Sequence, residues 1–231
     1  MAQERWRAAT RADLEALPAE VAPRLLGARL TTVVGGETVV LRITEVEAYH
    51  GRGTGAVPDP GSHARMGPTA RNATMWGKPG HLYVYLSHGI HSCVNVVCAP
   101  DGLAGGCLLR AGEVIEGVDA AFRRRPAART ERDLARGPGR FGDAAGLRHP
   151  LHDGIDAITG APWHGAQAQL DLLAEPLTDI AAGPRVGVAG VAGTEVFPWR
   201  FWVPGDPTVS PFRWGRGARE VAEGGAFPSH S

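Results

Sequence analysis

The stretch Ile43-Thr-Glu-Val-Glu-Ala-Tyr-His50 places two carboxylates and an aromatic ring at alternate positions of the chain. Side chains of an extended strand point alternately to its two faces. One face of this strand should therefore carry Ile43, Glu45, Glu47 and Tyr49. Carboxylates are costly to bury unless they are paired or used chemically. The stretch thus predicts either structural ion pairs beside core tyrosines, or a site that holds a flat ring next to a carboxylate.

The rest of the sequence predicts strands with a few helices. Residues 30–34 and 38–43 flank Gly35-Gly36, a two-residue hairpin signal. Further strands are predicted at residues 81–86, 92–99, 106–110, 166–173, 185–188 and 200–203, and a loop at residues 52–61. Helices are predicted at residues 18–26, 113–125 and 130–136, the last ended by Gly137-Pro-Gly139. This order favours a single α+β domain built on a curved antiparallel sheet.

Length and composition favour one domain in a reducing compartment. The 231 residues suit a single domain, which we place at residues 1–210, and residues 211–231 predict a flexible tail. No apolar run is long enough to span a membrane, and the charged N-terminus lacks the apolar stretch of a secretory signal. Three cysteines cannot all pair with one another, so reduced thiols are expected. We therefore expect a cytoplasmic monomer that does not contact membranes.

Several short segments, in this order along the chain, resemble the methylpurine DNA glycosylase family. They include Glu45-Val-Glu-Ala-Tyr49, Ser62-His-Ala-Arg65, Lys78-Pro-Gly80, Leu82-Tyr-Val-Tyr85, Leu108-Leu-Arg-Ala111 and Arg185-Val-Gly-Val188. The resemblance implies an open barrel-like sheet flanked by helices. It also implies a monofunctional DNA glycosylase of base-excision repair, which flips damaged, alkylated purines out of double-stranded DNA and hydrolyses the N-glycosidic bond. The alternative from another class is a lesion-binding protein that does not cut.

The resemblance assigns three residues to the catalytic water. Glu47 matches the family's catalytic carboxylate, which orients and deprotonates the water and stabilises the cationic sugar. Arg110 matches an arginine at the water, and the backbone carbonyl of Val186 matches a third contact. Glu45 lies on the same predicted strand face and is the competing candidate. A structural ion pair between Glu47 and an arginine is the alternative reading.

Five further positions are implied to contact the DNA. Tyr49, His63 and Tyr85 match residues that stack on the flipped base, and Asn95 matches an asparagine that discriminates among purines. Core packing of the tyrosines, and backbone pairing by Asn95, are the alternatives. His88 stands where the family usually has a tyrosine that wedges into the duplex. The alternative for His88 is a surface turn.

Charge and metal-binding residue types add two expectations. The chain carries 24 basic and 24 acidic residues, which argues mildly against binding nucleic acid by bulk charge. Residues 114–150, however, hold eight arginines against five acids, which suggests a rim that contacts phosphates. The spacing of Cys93, Cys98, Cys107, His88 and His91 does not fit common zinc patterns, so neither a metal nor another cofactor is expected. A zinc-dependent hydrolase is the remaining rival interpretation.

Overall fold

The computed structural model describes residues 5–100 and 102–224. Within these ranges, nine strands form one open antiparallel sheet accompanied by four helices, which confirms the predicted α+β class. The strands are β1 (Trp6–Ala8), β2 (Arg29–Val34), β3 (Glu37–His50), β4 (Leu82–Ser87), β5 (His91–Val97), β6 (Gly105–Glu116), β7 (Ala166–Leu173), β8 (Ala181–Gly183) and β9 (Arg200–Trp202). The helices are α1 (Pro18–Leu25), α2 (Val118–Arg124), α3 (Pro138–Ala145) and α4 (Ala218–Ala222).

Strand β3 is the longest strand and organises the sheet. The strand order is β1-β7-β2-β3-β6-β5-β4, and β9 pairs with β3 beyond the end of β2. The first half of β3 therefore pairs with β2 and its second half with β9, while β6 follows its other edge. The predicted hairpin between β2 and β3 is confirmed. Gly35 and Gly36 both have positive φ, at 61° and 81°, as a type I′ turn requires.

Of three register shifts between β3 and β6, two neighbouring ones decide which side chains around Glu45 face the core. Ile43 pairs with Gly112 and Glu45 with Ala111, so Thr44 has no partner in the ladder. One step further, Val46 pairs with Leu109, which leaves Arg110 unpaired on β6. A bulge inserts one extra residue and re-aims the side chains that follow it.

The bulges correct the expectation that Ile43 shares a face with the two acids. Ile43 belongs to the main hydrophobic core, and so do Val46 and Ala48. Without the bulge at Thr44, strict alternation would turn Glu45 and Glu47 toward that core. With the bulge, both acids lie on the opposite face.

Several predicted elements are confirmed and others are wrong. Helix α1 and strands β4, β5, β7 and β9 lie where they were predicted, but residues 113–116 continue β6 because they pair with β3. Residues 130–136 contain only a short 3₁₀ turn, Glu131–Asp133. Residues 185–188 form a loop instead of a strand. Gly137-Pro-Gly139 begins α3 instead of ending a helix, because Pro138 occupies the first helical position, which tolerates a missing N–H.

The predicted tail falls partly within the described residues. The amide of Gly187 donates to the carbonyl of Arg213, and the amide of Gly190 donates to that of Arg216, before the chain enters α4. Residues 225–231 lie outside the described residues, and the boundary at residue 210 stays a prediction. No helix in the described ranges has the length and apolar character needed to cross a membrane.

Candidate active site

The residues that the sequence singled out surround one cavity of about 430 Å³ on the face of the sheet opposite the main core. Strands β3 to β6 supply its floor, and the loops around residues 60–63 and 186–189 supply its rim. The eight predicted site residues that line this cavity are Glu47, Tyr49, His63, Tyr85, His88, Asn95, Arg110 and Val186. The structure therefore brings all of them together, although they come from strands β3, β4, β5 and β6, from the turn after β4 and from two loops.

Glu47 is fully buried and is held by three donors. The Tyr49 hydroxyl donates to Oε2 at 2.8 Å, and the Val186 amide donates to Oε1 at 2.6 Å. Nη1 of Arg110 lies 3.4 Å from both oxygens of the carboxyl group. Burial raises the pKa of Tyr49, and the charge of Glu47 raises it further, so Tyr49 stays a donor at neutral pH.

Glu45 lies on the same strand face but is enclosed by ionic partners. Its Oε1 accepts from Nε of Arg200 at 2.7 Å, from the Ser210 hydroxyl at 3.0 Å and from Nε of Arg110 at 3.1 Å. Its Oε2 accepts from the Ser210 amide at 2.8 Å. Glu45 does not line the cavity. The geometry therefore makes Glu45 the structural partner of Arg110.

Arg110 connects the two acids. Its Nε contacts Glu45, its Nη1 faces Glu47, and its Nη2 donates to the Ser210 hydroxyl at 3.2 Å. Burial alone would lower the pKa of Arg110, but the charges of Glu47 and Glu45 outweigh it and raise the pKa. The guanidinium is thus a fixed positive charge at the cavity wall.

One wall of the cavity is aromatic. The rings of Tyr83 and Tyr85 are stacked with centroids 5.4 Å apart, and His63 stands edge-on to Tyr85 at 4.7 Å. His63 is exposed at the rim of the cavity, and partial desolvation there lowers its pKa, with the charges of Arg71 and Arg65 lowering it further. His63 is therefore neutral at pH 7, and the wall presents uncharged rings.

The ring of Tyr49 is supported from behind by Arg185. The guanidinium carbon of Arg185 lies 4.5 Å from the Tyr49 ring centroid, within the range of a cation–π contact. Arg185 is fully buried, and it forms two hydrogen bonds, at 2.7 and 2.8 Å, with the buried carboxylate of Asp59. The Arg185–Asp59 pair therefore fixes the position of Tyr49 and ties the loop at residues 52–61 to the site.

Comparison with known proteins identifies the family of the chain. A family model described as methylpurine-DNA glycosylase matches residues 12–207. The chain belongs to the methylpurine-DNA glycosylase family. It is accordingly a DNA glycosylase, a hydrolase that acts on N-glycosyl bonds, and its substrate is DNA.

Alignments with individual relatives extend over most of this glycosylase. A protein of Leifsonia xyli subsp. xyli is 50% identical over 198 residues, which span 84% of this chain and 87% of the relative. A protein of Cutibacterium acnes is 48% identical over 201 residues, spanning 86% of this chain and 97% of the relative. Both are provisionally named 3-methyladenine DNA glycosylases.

His88 occupies the tip of the hairpin between β4 and β5 of the glycosylase. It is exposed, and its φ of 50° is followed by a φ of 72° at Gly89, so both central residues of the turn have the left-handed backbone. Histidine is among the non-glycine residues that adopt this conformation more readily. The Ser87 hydroxyl lies 3.0 Å from Nδ1 of His88, at the mouth of the cavity.

Asn95 lies on β5 beside the aromatic wall. Its Nδ2 donates to the carbonyl of Tyr83 at 3.1 Å, which orients the amide. The alternative role of Asn95, in which its amide binds the backbone, is therefore compatible with a place in the cavity lining. The same side-chain amide binds the Tyr83 carbonyl and faces the cavity.

Sequence reasoning missed some residues that build the site. Asp59 neutralises Arg185, and Ser210 caps Glu45. Arg185 stands within a family-like segment and Arg200 within a predicted strand, but nothing in either stretch indicates which acid each contacts.

The cysteines do not gather into a metal site. Sγ of Cys98 and Sγ of Cys107 are 3.6 Å apart between neighbouring strands, whereas Cys93 lines the cavity. Across the described ranges, no group of three or more His, Cys, Asp or Glu side chains is placed to hold a metal ion.

Proposed function

We propose that this glycosylase removes alkylated purines of the 3-methyladenine type from double-stranded DNA by hydrolysis, leaving an abasic site. The observation that carries the proposal is the buried carboxylate of Glu47 at the cavity wall, held by Tyr49, Val186 and Arg110. Its donors fix the orientation of the carboxylate, and its place on the wall makes it the acid that a ligand in the cavity would meet.

In this proposal Glu47 orients a water molecule toward the anomeric carbon and accepts its proton. The water is held between Glu47, the guanidinium of Arg110 and the backbone carbonyl of Val186. As the bond to the base breaks, positive charge develops on the sugar, and the carboxylate of Glu47 stabilises it. The electron pair of the broken bond leaves with the purine, and water supplies the hydroxyl group.

The flipped base is held between aromatic groups. We place it between Tyr49 on one side and the wall of His63 and Tyr85 on the other, with Asn95 at its edge. A purine methylated on a ring nitrogen is cationic and leaves without prior protonation, so Glu47 and stacking supply the catalysis it needs. A neutral His63 suits a cationic base because it adds no repulsive charge.

His88 is proposed to wedge into the duplex and fill the gap left by the flipped nucleotide. Insertion costs a few kcal/mol of unstacking, which stacking of the inserted side chain offsets. The exposed position of His88 at a hairpin tip beside the cavity supports this role.

A water nucleophile is favoured over an amine. Lys78 is the only lysine in the sequence, and it does not line the cavity. A Schiff base between a lysine and the sugar is therefore not part of the proposed mechanism, and strand cleavage should need added alkali.

The proposal is tested with purified protein and a labelled duplex that carries one methylated purine. We expect free methylated base and alkali-labile abasic sites, without strand breaks before alkali. Binding to the damaged duplex without release of base would instead support the lesion-binding alternative, and loss of activity upon chelation would support a metal-dependent hydrolase.

A further inference from the structure

A groove of about 750 Å³ opens beside the cavity. It shares Ser87, His88, Cys93 and Pro138 with the cavity, so the two are continuous at the hairpin tip. From there the groove runs along the start of α3 toward the segment that follows α2. A ligand that enters the cavity can therefore extend into the groove.

Most of the arginines in residues 114–150 are already engaged within the fold. Arg136, for example, donates to the carbonyl of Val209 at 2.9 Å, and Arg148 pairs with Asp143 at 2.7 Å. The engaged arginines are Arg123, Arg124, Arg125, Arg132, Arg136 and Arg148. The arginine-rich segment is thus mainly structural.

Arg129 and Arg140 are different. Both are exposed, both line the groove, and neither has a hydrogen-bond or ion-pair partner in the part of the chain that the structure describes. His91 lines the same groove.

The acids of the groove are compensated by other groups. Asp143 pairs with Arg148 and Arg125, and Asp133 accepts from the Thr130 hydroxyl at 2.8 Å and faces Arg132. The charges of Arg129 and Arg140 are therefore left to an outside partner.

We propose that this groove binds the sugar-phosphate backbone of the DNA strand next to the flipped nucleotide, with Arg129 and Arg140 as its phosphate contacts. This inference rests on the proposed function, because it places the strand by continuity with the base cavity. A chain of zero net charge needs local cationic contacts to hold DNA, and arginine presents a planar fork that suits phosphate oxygens. The two arginines add affinity without reading sequence.

The test compares two double variants with the same change in charge. Arg129→Ala with Arg140→Ala removes the proposed contacts, and Arg123→Ala with Arg132→Ala removes two exposed, ion-paired arginines of the same segment. The dissociation constant for a duplex with a single abasic-site analogue is measured across a range of salt concentrations. The logarithm of the association constant falls linearly with the logarithm of the salt concentration, and each lost phosphate contact makes this slope shallower by about 0.9. We expect a decrease of about 1.8 for the first variant and little change for the control.

DNA in which neutral methylphosphonate linkages replace selected phosphates distinguishes direct contact between the arginines and phosphates from long-range electrostatic attraction. Such linkages placed beside the lesion should weaken binding of the wild type and the control variant, and should cost the Arg129/Arg140 variant much less. Equal slopes for the two variants, or additive effects of the linkages, would overturn the proposal. Thermal unfolding of both variants checks that they are folded.

Binding to the abasic-site analogue does not require release of a base. A wild type that binds with the expected slope but releases no methylated purine would therefore sink the proposed function while leaving the groove as a DNA contact. Normal release of base, with the salt dependence of DNA binding unchanged in the Arg129/Arg140 variant, would contradict only the proposal that the groove binds DNA.

Discussion

Glu45 and Glu47 stand two positions apart on one strand face, and both are fully buried, yet their surroundings differ. Glu45 accepts from two guanidinium groups and from both donors of Ser210. Glu47 accepts from a hydroxyl and an amide, with Arg110 further away at 3.4 Å, and it alone lines the cavity. Burial and residue type are the same, so the partners decide which acid is structural and which is available to a ligand.

The comparison also explains why the family-like motif needs two acids. Arg110 is the extra residue of the bulge on β6. Its buried guanidinium needs a negative charge in a fixed position. Glu45 supplies that charge together with the orientation of the guanidinium. Glu47 is then left as the acid that a ligand in the cavity would contact.

The largest effect is expected for Glu47→Gln. An amide keeps the shape of the side chain but neither accepts the proton of water nor offsets the charge on the sugar. Loss of a general base costs on the order of 10²–10⁴-fold in rate, and loss of charge stabilisation adds to it. Single-turnover release of methylated purine measures the effect, and binding to the damaged duplex should survive. Near-normal release in Glu47→Gln together with loss in Glu45→Gln would show that the roles are reversed.

The next effect is expected for Glu45→Gln, and on stability before activity. The change leaves Arg200 and Arg110 buried without their shared carboxylate, and breaking a buried pair costs about 3–5 kcal/mol. Denaturant unfolding of wild type, Glu45→Gln and Glu47→Gln measures this difference. We expect Glu45→Gln to be the least stable of the three and to retain more activity than Glu47→Gln when folded. Equal stability of the two variants would contradict the distinction drawn between the acids.

His88 extends the comparison from the acids to the groups that place the base. His88→Ala should weaken binding and excision on duplex DNA by removing the proposed wedge, with much less effect on a single-stranded substrate. His88→Tyr should retain or improve activity, because the larger ring stacks better. Equal activity of wild type and His88→Ala on duplex DNA would leave His88 as a surface turn.

Sequence periodicity predicted where the strands of the site lie better than it predicted which face of the sheet their side chains occupy. The alternation of Glu45, Glu47 and Tyr49 is visible in the sequence, but the bulge at Thr44 that turns them away from Ile43 is not. A bulge depends on the partner strand, so one strand read alone does not reveal it.

Long-range partners were beyond local patterns for a similar reason. Ser210 meets Glu45 across 165 residues, and Arg185 meets Asp59 across 126. Helix α3 was missed because Gly137-Pro-Gly139 has the composition of a terminator, whereas proline at the first helical position is equally a start signal.

The smallest effect is expected at His63, which lines the same cavity as Glu47. It adds a dependence on pH to the comparison of the two acids. Partial desolvation at the cavity rim, with the charges of Arg71 and Arg65, lowers the pKa of the exposed His63 in the folded protein, and solvent screening keeps the effect small. The imidazole therefore takes up a proton only below the ordinary histidine range near pH 6.5. The unfolded chain binds that proton first as the pH falls. His63 therefore reduces stability below about pH 6.5 and leaves it unaffected above. Protonation would also place a positive charge against a cationic methylated base.

We therefore expect kcat/KM for a cationic lesion to fall at acid pH more steeply in wild type than in His63→Phe, which keeps a ring but cannot take up a proton. Because Glu47 is present in both proteins, the ratio of the two profiles isolates the contribution of His63. That ratio should be flat from neutral pH upward and should decline only below the ordinary histidine range. The same ratio measured on a neutral damaged purine should stay closer to constant, since the repulsion requires charge on both partners. A ratio that does not vary with pH on the cationic lesion would mean that His63 does not face the bound base.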